Sequence, residues 1–333
     1  MVYIKNTLTK ESFTTEFNGI GAKVEKKSYK KNNLFEQFQL QSMVLPAIIF
    51  IIIFMYLPLW GLIMAFLDYD ITSGILGSSW VGLKHFQAFF TDREFASIMT
   101  NTVIISFAKI VICFPAPIIL AVMLNEIKNI RFKRTFQTIS YMPYFLSWVV
   151  VSGFIISILS TDNGSLNIFL MNMGLIKAPV NWLSEPKYFL TILITSNIWK
   201  ETGFGAIIFI AAIAGINPDL YEAASVDGAS RLKQIFVITI PCIMPQIITL
   251  LILRIASLLS AGFEDILLLT NNGANVILKK ASNVIDTYVY YAGINGQRYS
   301  YSTAIGMFKS VITIVLLAGV NYLSGKFTDT SLW

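Results

Sequence analysis

The sequence predicts an all-α protein that crosses a membrane six times. Hydrophobic residues make up 55% of its 333 residues and charged residues 13%, whereas soluble domains average about 45–50% apolar and about 25% charged residues. Six apolar runs are each long enough to cross a bilayer, which takes about 20 residues. This composition excludes an ordinary soluble enzyme, because so little charge cannot cover its surface, and it equally excludes an open, disordered chain.

The first element is predicted to be a polar tail, residues 1–40, followed by a first span at residues 43–67. The tail carries seven lysines and four glutamates, and the charge-free interval after it is too long for the core of a signal peptide. No small-residue cleavage site follows this interval. We therefore expect the first span to remain in the protein as an uncleaved signal-anchor.

The rest of the chain, residues 41–333, is predicted to be one transmembrane domain with five further spans. Charged residues interrupt four of these spans, and the stretch 199–203 could break the fourth span of the protein. Seven of the ten prolines fall inside proposed spans, which favours kinked helices around a path over a plain anchor bundle. The further spans are predicted at residues 98–124, 138–160, 188–213, 236–263 and 303–324.

The orientation follows from the lysines and arginines between the spans. Segments on the side of the N-terminal tail hold fourteen of them, and the opposite loops hold seven. Positively charged residues are enriched in the cytoplasmic loops of membrane proteins. Both termini are therefore expected in the cytoplasm, and the net charge of +6 reflects this flanking charge instead of a nucleic-acid-binding face.

Few residues could perform catalysis or bind a metal ion. The chain has one histidine, His85, and two cysteines, Cys113 and Cys242, which lie in apolar runs. Because no set of catalytic side chains can be assembled from these, an intramembrane enzyme would lack its chemistry. The dipeptide Gly325-Lys326 has no upstream phosphate-binding loop, so we expect no nucleotide site, no cofactor and no metal on this chain.

The loop at residues 215–237 is predicted to form two short helices on the cytoplasmic face. Asn217 can cap the first helix, with Pro218 at its first position, where the missing N–H costs nothing. Gly228 suits the end of this helix, and a second helix is expected from Ala229 into the fifth span. Apolar residues such as Leu220 favour a docking element over a solvated connector.

The same loop carries a spaced motif. Glu222-Ala223-Ala224 is followed after three residues by Gly228 and after nine more by Ile238, with Ile240-Pro241 beyond. This spacing resembles the EAA loop of binding-protein-dependent ABC importer permeases, with isoleucine at position 240 where the family usually has leucine. The resemblance implies the type I ABC importer permease fold, in which this loop forms the coupling helix.

The resemblance also implies a division of labour. Such a permease pairs with a second, homologous permease in a bacterial plasma membrane, two ATPase subunits bind ATP and Mg²⁺ below it, and an extracellular lipoprotein delivers the solute. Glu222 would face a basic residue of the ATPase, and Gly228 would supply the bend. The rim of the docking helix would consist of Asp219, Tyr221 and Asp227. The other residues expected to couple to the ATPase are Glu222, Ala223, Ala224, Gly228 and Pro241.

Motifs between residues 40 and 333 extend the resemblance to carbohydrate-uptake permeases. Trp80-Val81-Gly82-Leu83 and Ser140-Tyr141-Met142-Pro143 are two of them. They are similar to permeases for polygalacturonan and rhamnogalacturonan oligosaccharides, which implies an oligosaccharide substrate. In related permeases the spans on either side of the EAA loop contact the sugar. The substrate-path candidates are therefore Asn197, Lys200, Glu201, Phe204, Arg254 and Ser257.

Charged residues inside the predicted spans allow two interpretations. A charge at mid-membrane is costly, so it faces protein or water, and Arg254 suits the carboxylate of an acidic, pectin-type sugar. A structural network of charges between spans is an equally good interpretation. Lys109 lies near the bilayer centre, where a buried pair is favoured, and Lys309 is expected to extend outward to the interface.

Two other transport functions stay open at this point. Within the importer class, the solute could be a peptide or another compound instead of a sugar. A proton- or ion-coupled secondary transporter would use Lys109 and Glu201 as relay groups. The EAA loop argues against the secondary transporter, as does the lack of a detectable inverted repeat.

Overall fold

The computed structural model describes residues 34–271, 275 and 277–328, with side chains from residue 41 to residue 326 within these ranges. Residues 1–33 of the predicted tail and the chain beyond residue 328 lie outside the described residues. The chain divides into two compact units, Met1–Trp60 and Gly61–Trp333. The described part is mostly helical, which agrees with the predicted fold class.

The first unit contains the start of the first span. Helix α1 (Leu34–Ile51) runs through Pro46 into a π-helical turn (Ile52–Tyr56), and a 3₁₀ segment (Leu57–Phe66) continues it. The resulting candidate span is Gln41–Phe66, beside the predicted 43–67. Its most apolar window has a mean hydropathy of 2.5, so this segment is long and apolar enough to cross a bilayer.

A small hairpin follows the first span on the side predicted to be extracellular. Its two strands pair antiparallel, with Leu67 opposite Trp80. The ring of Phe66 stacks on the Trp80 indole at a centroid distance of 5.5 Å. The hairpin and the helix after it consist of β1 (Leu67–Asp68), α2 (Gly74–Gly77), β2 (Ser79–Trp80) and α3 (Lys84–Phe90).

Span two is one continuous candidate span, Phe95–Glu126, where the prediction is 98–124. It consists of α4 (Phe95–Ala108), a π-helical turn (Lys109–Cys113) and α5 (Pro115–Glu126). A π-helical turn inside an α-helix often marks a functional position. Here it places Lys109 at the middle of the span.

Span three is bent by an angle that the prolines in the sequence do not predict. Helix α6 (Ile130–Tyr141) and a 3₁₀ turn (Met142–Phe145) meet α7 (Trp148–Leu159) at 99°. Pro143 lies in the 3₁₀ turn, and Ser147 caps α7 by accepting a hydrogen bond from the Val150 N–H. The span predicted at 138–160 therefore straddles a sharp bend.

Span four is a single helix, α9 (Pro186–Ala214), which follows the short helix α8 (Ser165–Asn172). It runs unbroken through residues 199–203 and covers the predicted 188–213. One face of α9 packs on α5, where Ala121 shares a buried cluster with Ala206 and Phe209.

The loop predicted to be cytoplasmic and span five form a chain of short helices. Span five is bent by 61° between Arg231–Cys242 and Met244–Ala256. Pro241 and Pro245 flank this break, and each removes an N–H that a continuous helix would use. The elements are α10 (Asp219–Val226), α11 (Arg231–Gln234), a π-helical turn (Ile235–Thr239), α12 (Ile240–Cys242) and α13 (Met244–Ala256).

The predicted fifth span, 236–263, is longer than the helix that the structure shows, because α13 ends at Ala256. Short helices then lead to the last span, which covers Tyr299–Lys326 beside the predicted 303–324. Within the described residues, four helices could cross a membrane, or up to six if each bent pair is one span. The remaining elements are α14 (Glu264–Leu269), α15 (Lys279–Ser282), α16 (Ile285–Tyr290), a π-helical turn (Tyr291–Asn295) and α17 (Tyr299–Thr328).

Candidate functional site

A cavity of about 740 Å³ lies among spans two to five in the second unit. Span two contributes residues around the π-helical turn, α7 contributes Trp148, α9 contributes one face, and α13 and the segment after it contribute the rest. Its wall carries five ionisable side chains of opposite signs: Lys109, Glu201, Arg254, Glu264 and Asp265. Among the described residues no cluster of His, Cys, Asp or Glu is arranged to hold a metal ion.

Four of the six substrate-path candidates line this cavity: Asn197, Glu201, Arg254 and Ser257. The other two belong to a packing contact on another face of α9. The Lys200 ammonium group donates to the Tyr144 carbonyl oxygen at 2.9 Å, and the Phe204 ring stacks on the Tyr144 ring at 3.9 Å. Successive residues on a helix point about 100° apart, so Glu201 faces the cavity while Lys200 is buried against span three.

The tightest contact of the cavity is an ion pair between span two and α14, the short helix after span five. Lys109 Nζ lies 2.5 Å from Asp265 Oδ2, and Asn197 Nδ2 donates to the same oxygen at 3.0 Å. Asp265 is 4% exposed. A buried carboxylate needs such partners, because an uncompensated charge inside a protein is costly.

Gly262 makes room for this pair. Its φ of +118° is one that L-residues rarely adopt, and a Cβ at this position would overlap the Asp265 carboxylate and lie 2.6 Å from Lys109 Nζ. The sequence analysis assigns Asp265 to an extracellular loop and misses its role. The signal that could have found it is the need of Lys109, at mid-membrane, for a nearby carboxylate.

A second ion pair on the cavity wall is looser. Arg254 Nη2 lies 3.6 Å from Glu201 Oε2, and the two side chains are 61% and 39% exposed. The distance is too long for a hydrogen bond, and water reaches both groups. The structure therefore pairs charges between spans, as the network interpretation expects, while Arg254 stays accessible from the cavity.

Lys309 does not extend freely toward the interface, as the sequence analysis expects. It forms an ion pair with Asp286, and the two side chains are 20% and 19% exposed. Helix α16 packs against α17 and carries Asp286 to this position. Asp286 could not be predicted from the sequence as the partner of Lys309, because it lies in a predicted loop.

The hairpin at residues 217–242, which we call the cytoplasmic hairpin after its predicted side, has the helix–bend–helix form predicted for the loop. The Asn217 side chain accepts a hydrogen bond from the Asp219 N–H at 3.0 Å. Gly228 has a φ of +74°, and the Ala229 N–H donates to the Ala224 carbonyl at 2.9 Å across it. This left-handed turn is the usual way for a helix to end at glycine.

The predicted coupling residues fall into two groups in the hairpin. None of the eight residues of α10 is buried, and Val226 is 89% exposed at its end. Tyr221 is half-buried and faces span five, where its hydroxyl lies 2.9 Å from Thr239 Oγ1. Its side chain therefore does not lie on the outer rim, and Pro241 lies apart from α10, at the base of span five. Among the predicted coupling residues, those exposed on α10 and at its end are Asp219, Glu222, Ala223, Asp227 and Gly228, and Ala224 is half-buried.

A polar cluster around Asp92, in a loop predicted to be extracellular, was also not predicted from the sequence. Asp92, between α3 and α4, accepts hydrogen bonds from the Tyr288 hydroxyl at 2.7 Å and the Tyr301 hydroxyl at 3.0 Å. Burial disfavours the charged form of its carboxyl, but these bonds and one from the Glu94 N–H outweigh burial and lower the pKa of Asp92. Burial in turn raises the pKa of Tyr288.

Comparison with known proteins identifies relatives over nearly the whole chain. The family described as "Binding-protein-dependent transport system inner membrane component" matches residues 113–329. Protein LplB of Bacillus subtilis (strain 168) is 40% identical over 87% of this chain and 90% of its own. The polygalacturonan/rhamnogalacturonan transport system permease protein YteP of the same strain is 39% identical over 98% of this chain and 99% of its own.

Solved structures give the same result for the fold. The crystal structure of a bacterial ABC transporter involved in the import of the acidic polysaccharide alginate contains a chain with a TM-score of 0.81 and 39% identity, covering 89% of this chain and 98% of that one. A second structure is of a bacterial alginate ABC transporter in complex with an alginate pentasaccharide-bound periplasmic protein. It matches with a TM-score of 0.82 and 39% identity over 90% of this chain and 98% of that one.

Proposed function

Since the chain belongs to the family of binding-protein-dependent transport system inner membrane components, we propose that it lines the pore of an ATP-driven importer for oligosaccharides. The observation that carries this proposal is the cavity among spans two to five. Its wall carries charged side chains among apolar ones, and these charges suit a hydrophilic solute on its way through a bilayer. The names of YteP and of the alginate transporter support a sugar as that solute.

The proposed importer has further subunits. A second, homologous permease would complete the pore, and two ATPase subunits would supply ATP, Mg²⁺ and the hydrolysis step. An extracellular lipoprotein would deliver the sugar, a role supported by the alginate transporter in complex with its periplasmic protein. With both termini in the cytoplasm of a bacterial cell, as the twofold excess of basic residues indicates, the hairpin is on the side of the ATPases.

The hairpin is the proposed docking element for the ATPase. Glu222 and the small side chain of Ala223 are exposed on α10, which allows a cleft of the ATPase to close around this helix. Glu222 would meet a basic residue there. The bend at Gly228 sets the angle between α10 and the base of span five, so a movement of the ATPase cleft would tilt span five.

Acidic oligosaccharides of the pectin type are the proposed substrate class. On the cavity wall Lys109 is already bonded to Asp265 at 2.5 Å, whereas Arg254 is held only loosely by Glu201 at 3.6 Å. A uronate carboxylate could take the place of Glu201, because a planar guanidinium group binds a carboxylate through two hydrogen bonds. Arg254 is thus the cation on this wall that is free to recognise such a sugar.

Reconstitution tests the function. The complete complex is placed in proteoliposomes, and ATP-dependent uptake is measured for trigalacturonate, for neutral maltotriose and for a tripeptide, each with the lipoprotein present. We expect uptake of trigalacturonate and stimulation of the ATPase by it. Uptake of the tripeptide without either sugar would replace the oligosaccharide proposal with a peptide one, and uptake driven by a proton gradient without ATP would contradict an ATP-driven importer.

A further inference from the structure

The docking helix α10 has little apolar packing to hold it against its own chain. None of its eight residues is buried, and the bend at Gly228 separates it from the helix that continues into span five. A helix with no apolar anchor can move without its neighbour unless other contacts hold it. A movement imposed on α10 therefore needs such contacts if it is to reach the membrane spans.

Two polar contacts connect α10 to the base of span five across the bend. The Tyr221 hydroxyl lies 2.9 Å from Thr239 Oγ1, and Thr239 is 1% exposed. On the near side, Gln234 Nε2 donates to Ser225 Oγ at 2.9 Å and to the Ala229 carbonyl at 3.2 Å. Gln234 is 5% exposed, so water competes little for either contact.

The Tyr221–Thr239 contact reaches further along span five than the Gln234 contact. Thr239 is the last residue of the π-helical turn Ile235–Thr239. Four residues later, at Ile243, span five breaks and bends by 61° into α13. The segment below this break can therefore tilt on the segment above it, and the segment above carries Arg254 and Ser257 to the cavity.

We propose that Tyr221 is a positioning residue that joins α10 and the base of span five into one mechanical unit through its hydrogen bond with Thr239. This inference rests on the proposed function, in which the ATPase moves α10. The bond makes the segment below Ile243 follow α10, and the break at Ile243 passes that tilt to α13 and the cavity wall. Without the bond, only the Gln234–Ser225 contact, at the start of span five, still links α10 to it, and span five follows α10 less closely.

The first test is the ratio of sugar transported to ATP hydrolysed in the reconstituted complex, with trigalacturonate as the probe. Tyr221→Phe keeps the ring and loses the hydroxyl, and Thr239→Val removes the other partner. Each is expected to lower this ratio about two- to tenfold, the range allowed by the loss of one hydrogen bond. The double variant should be no worse than either single one, because both remove the same contact.

A control separates this effect from a general loss of structure. Tyr322, 71% exposed on span six, gives the matched variant Tyr322→Phe, which should keep the wild-type ratio. The amount of each variant in the membrane and its basal ATPase rate should also match the wild type. A wild-type ratio in Tyr221→Phe would overturn the proposal, while transport by the wild type would leave the proposed function intact.

A second measurement does not depend on the sugar. Spin labels on cysteines at Val226 and Val237, both exposed, are introduced into the complex after replacement of Cys113 and Cys242 by alanine. The distance distribution should be narrow in the wild type and broader in Tyr221→Phe. Equal distributions would refute the proposed role of the Tyr221–Thr239 hydrogen bond even if no sugar were transported. A wild-type complex that transports no oligosaccharide would contradict the proposed function alone.

Discussion

The two ion pairs of the cavity differ in how firmly the protein holds them. Lys109 and Asp265 lie 2.5 Å apart with side chains 19% and 5% exposed, and Asp265 also accepts a hydrogen bond from Asn197. Arg254 and Glu201 lie 3.6 Å apart and are open to the cavity. The first pair is suited to hold spans together, and the second is suited to exchange one partner for a solute.

Replacing Lys109 with methionine should destabilise the protein by about 3–5 kcal/mol, because Asp265 is then buried without its cation. The matched double variant Lys109→Met, Asp265→Leu removes both charges and should recover most of this loss. Thermal unfolding of the purified protein in detergent measures both. A double variant less stable than Lys109→Met would show that the pair itself, and not the stranded carboxylate, sets the stability.

Replacing Arg254 with glutamine should change which sugars are transported. We expect uptake of trigalacturonate to fall by about tenfold or more, because a hydrogen bond to a charged group is lost, while maltotriose uptake changes little. Glu201→Gln is the matched control, since it keeps Arg254 and removes its competitor for the carboxylate. Equal losses for both sugars in Arg254→Gln would rule out recognition of acidic sugars by this residue.

The Asp92 cluster should make the free energy of unfolding depend on pH in the acidic range. Because the pKa of Asp92 is lower in the folded protein than the usual value of about 4, the unfolded chain binds the proton more tightly. The stability from Asp92 is therefore fully present above pH ~4 and is lost as the pH falls through the lowered pKa. Unfolding midpoints of wild type and Asp92→Asn, compared at pH 7 and at pH 3, should differ more at pH 7.

At the level of elements, the bend between α10 and α11 sets the angle at which the hairpin would meet the proposed ATPase. Gly228 has a φ of +74°, and the space around its Cα is open. A side chain there would strain the backbone more than it would collide with this chain. Its effect would therefore appear on the exposed docking side of the hairpin.

Gly228→Trp should abolish transport while the protein stays in the membrane at its normal level. The indole would project from the bend into the proposed ATPase cleft, and the strained turn would reorient α10. Co-purification with the ATPase and uptake in proteoliposomes measure the two consequences. Gly61→Trp, at another glycine with open space around it, serves as the control, and normal uptake by Gly228→Trp would remove the docking role of the hairpin.

At the level of the whole molecule, apolar length predicts where the helices are and little about how they bend. The uncharged run before Leu67 and the long run of α9 are visible as spans in the sequence. The angles of the 99° bend between Phe145 and Trp148 and of the 61° bend at Ile243 are not visible, because a proline permits a kink without fixing its angle. The hairpin was predictable because its cap and its glycine act locally.

The cavity was predictable only in part, for a related reason. Asn197, Glu201, Arg254 and Ser257 lie within the two predicted spans that contact the sugar in related permeases, so the resemblance to that family was enough to name them. Asp265 and Asp286 lie between the predicted fifth and sixth spans. Only the folded structure shows that they pair with Lys109 and Lys309. Charge counting along the chain treats such residues as loop, although the packing of the spans depends on them.

Gly262 has a consequence for anyone who wishes to retarget this protein by mutagenesis. Its positive φ and its lack of a Cβ leave room for the Lys109–Asp265 pair, so these three positions can be exchanged or grafted only together. Glu201 and Arg254 carry no such constraint, because their side chains meet across open space. A library that varies the loose pair and leaves the Gly262 trio fixed would explore new cargo without dismantling the scaffold that holds the cavity open.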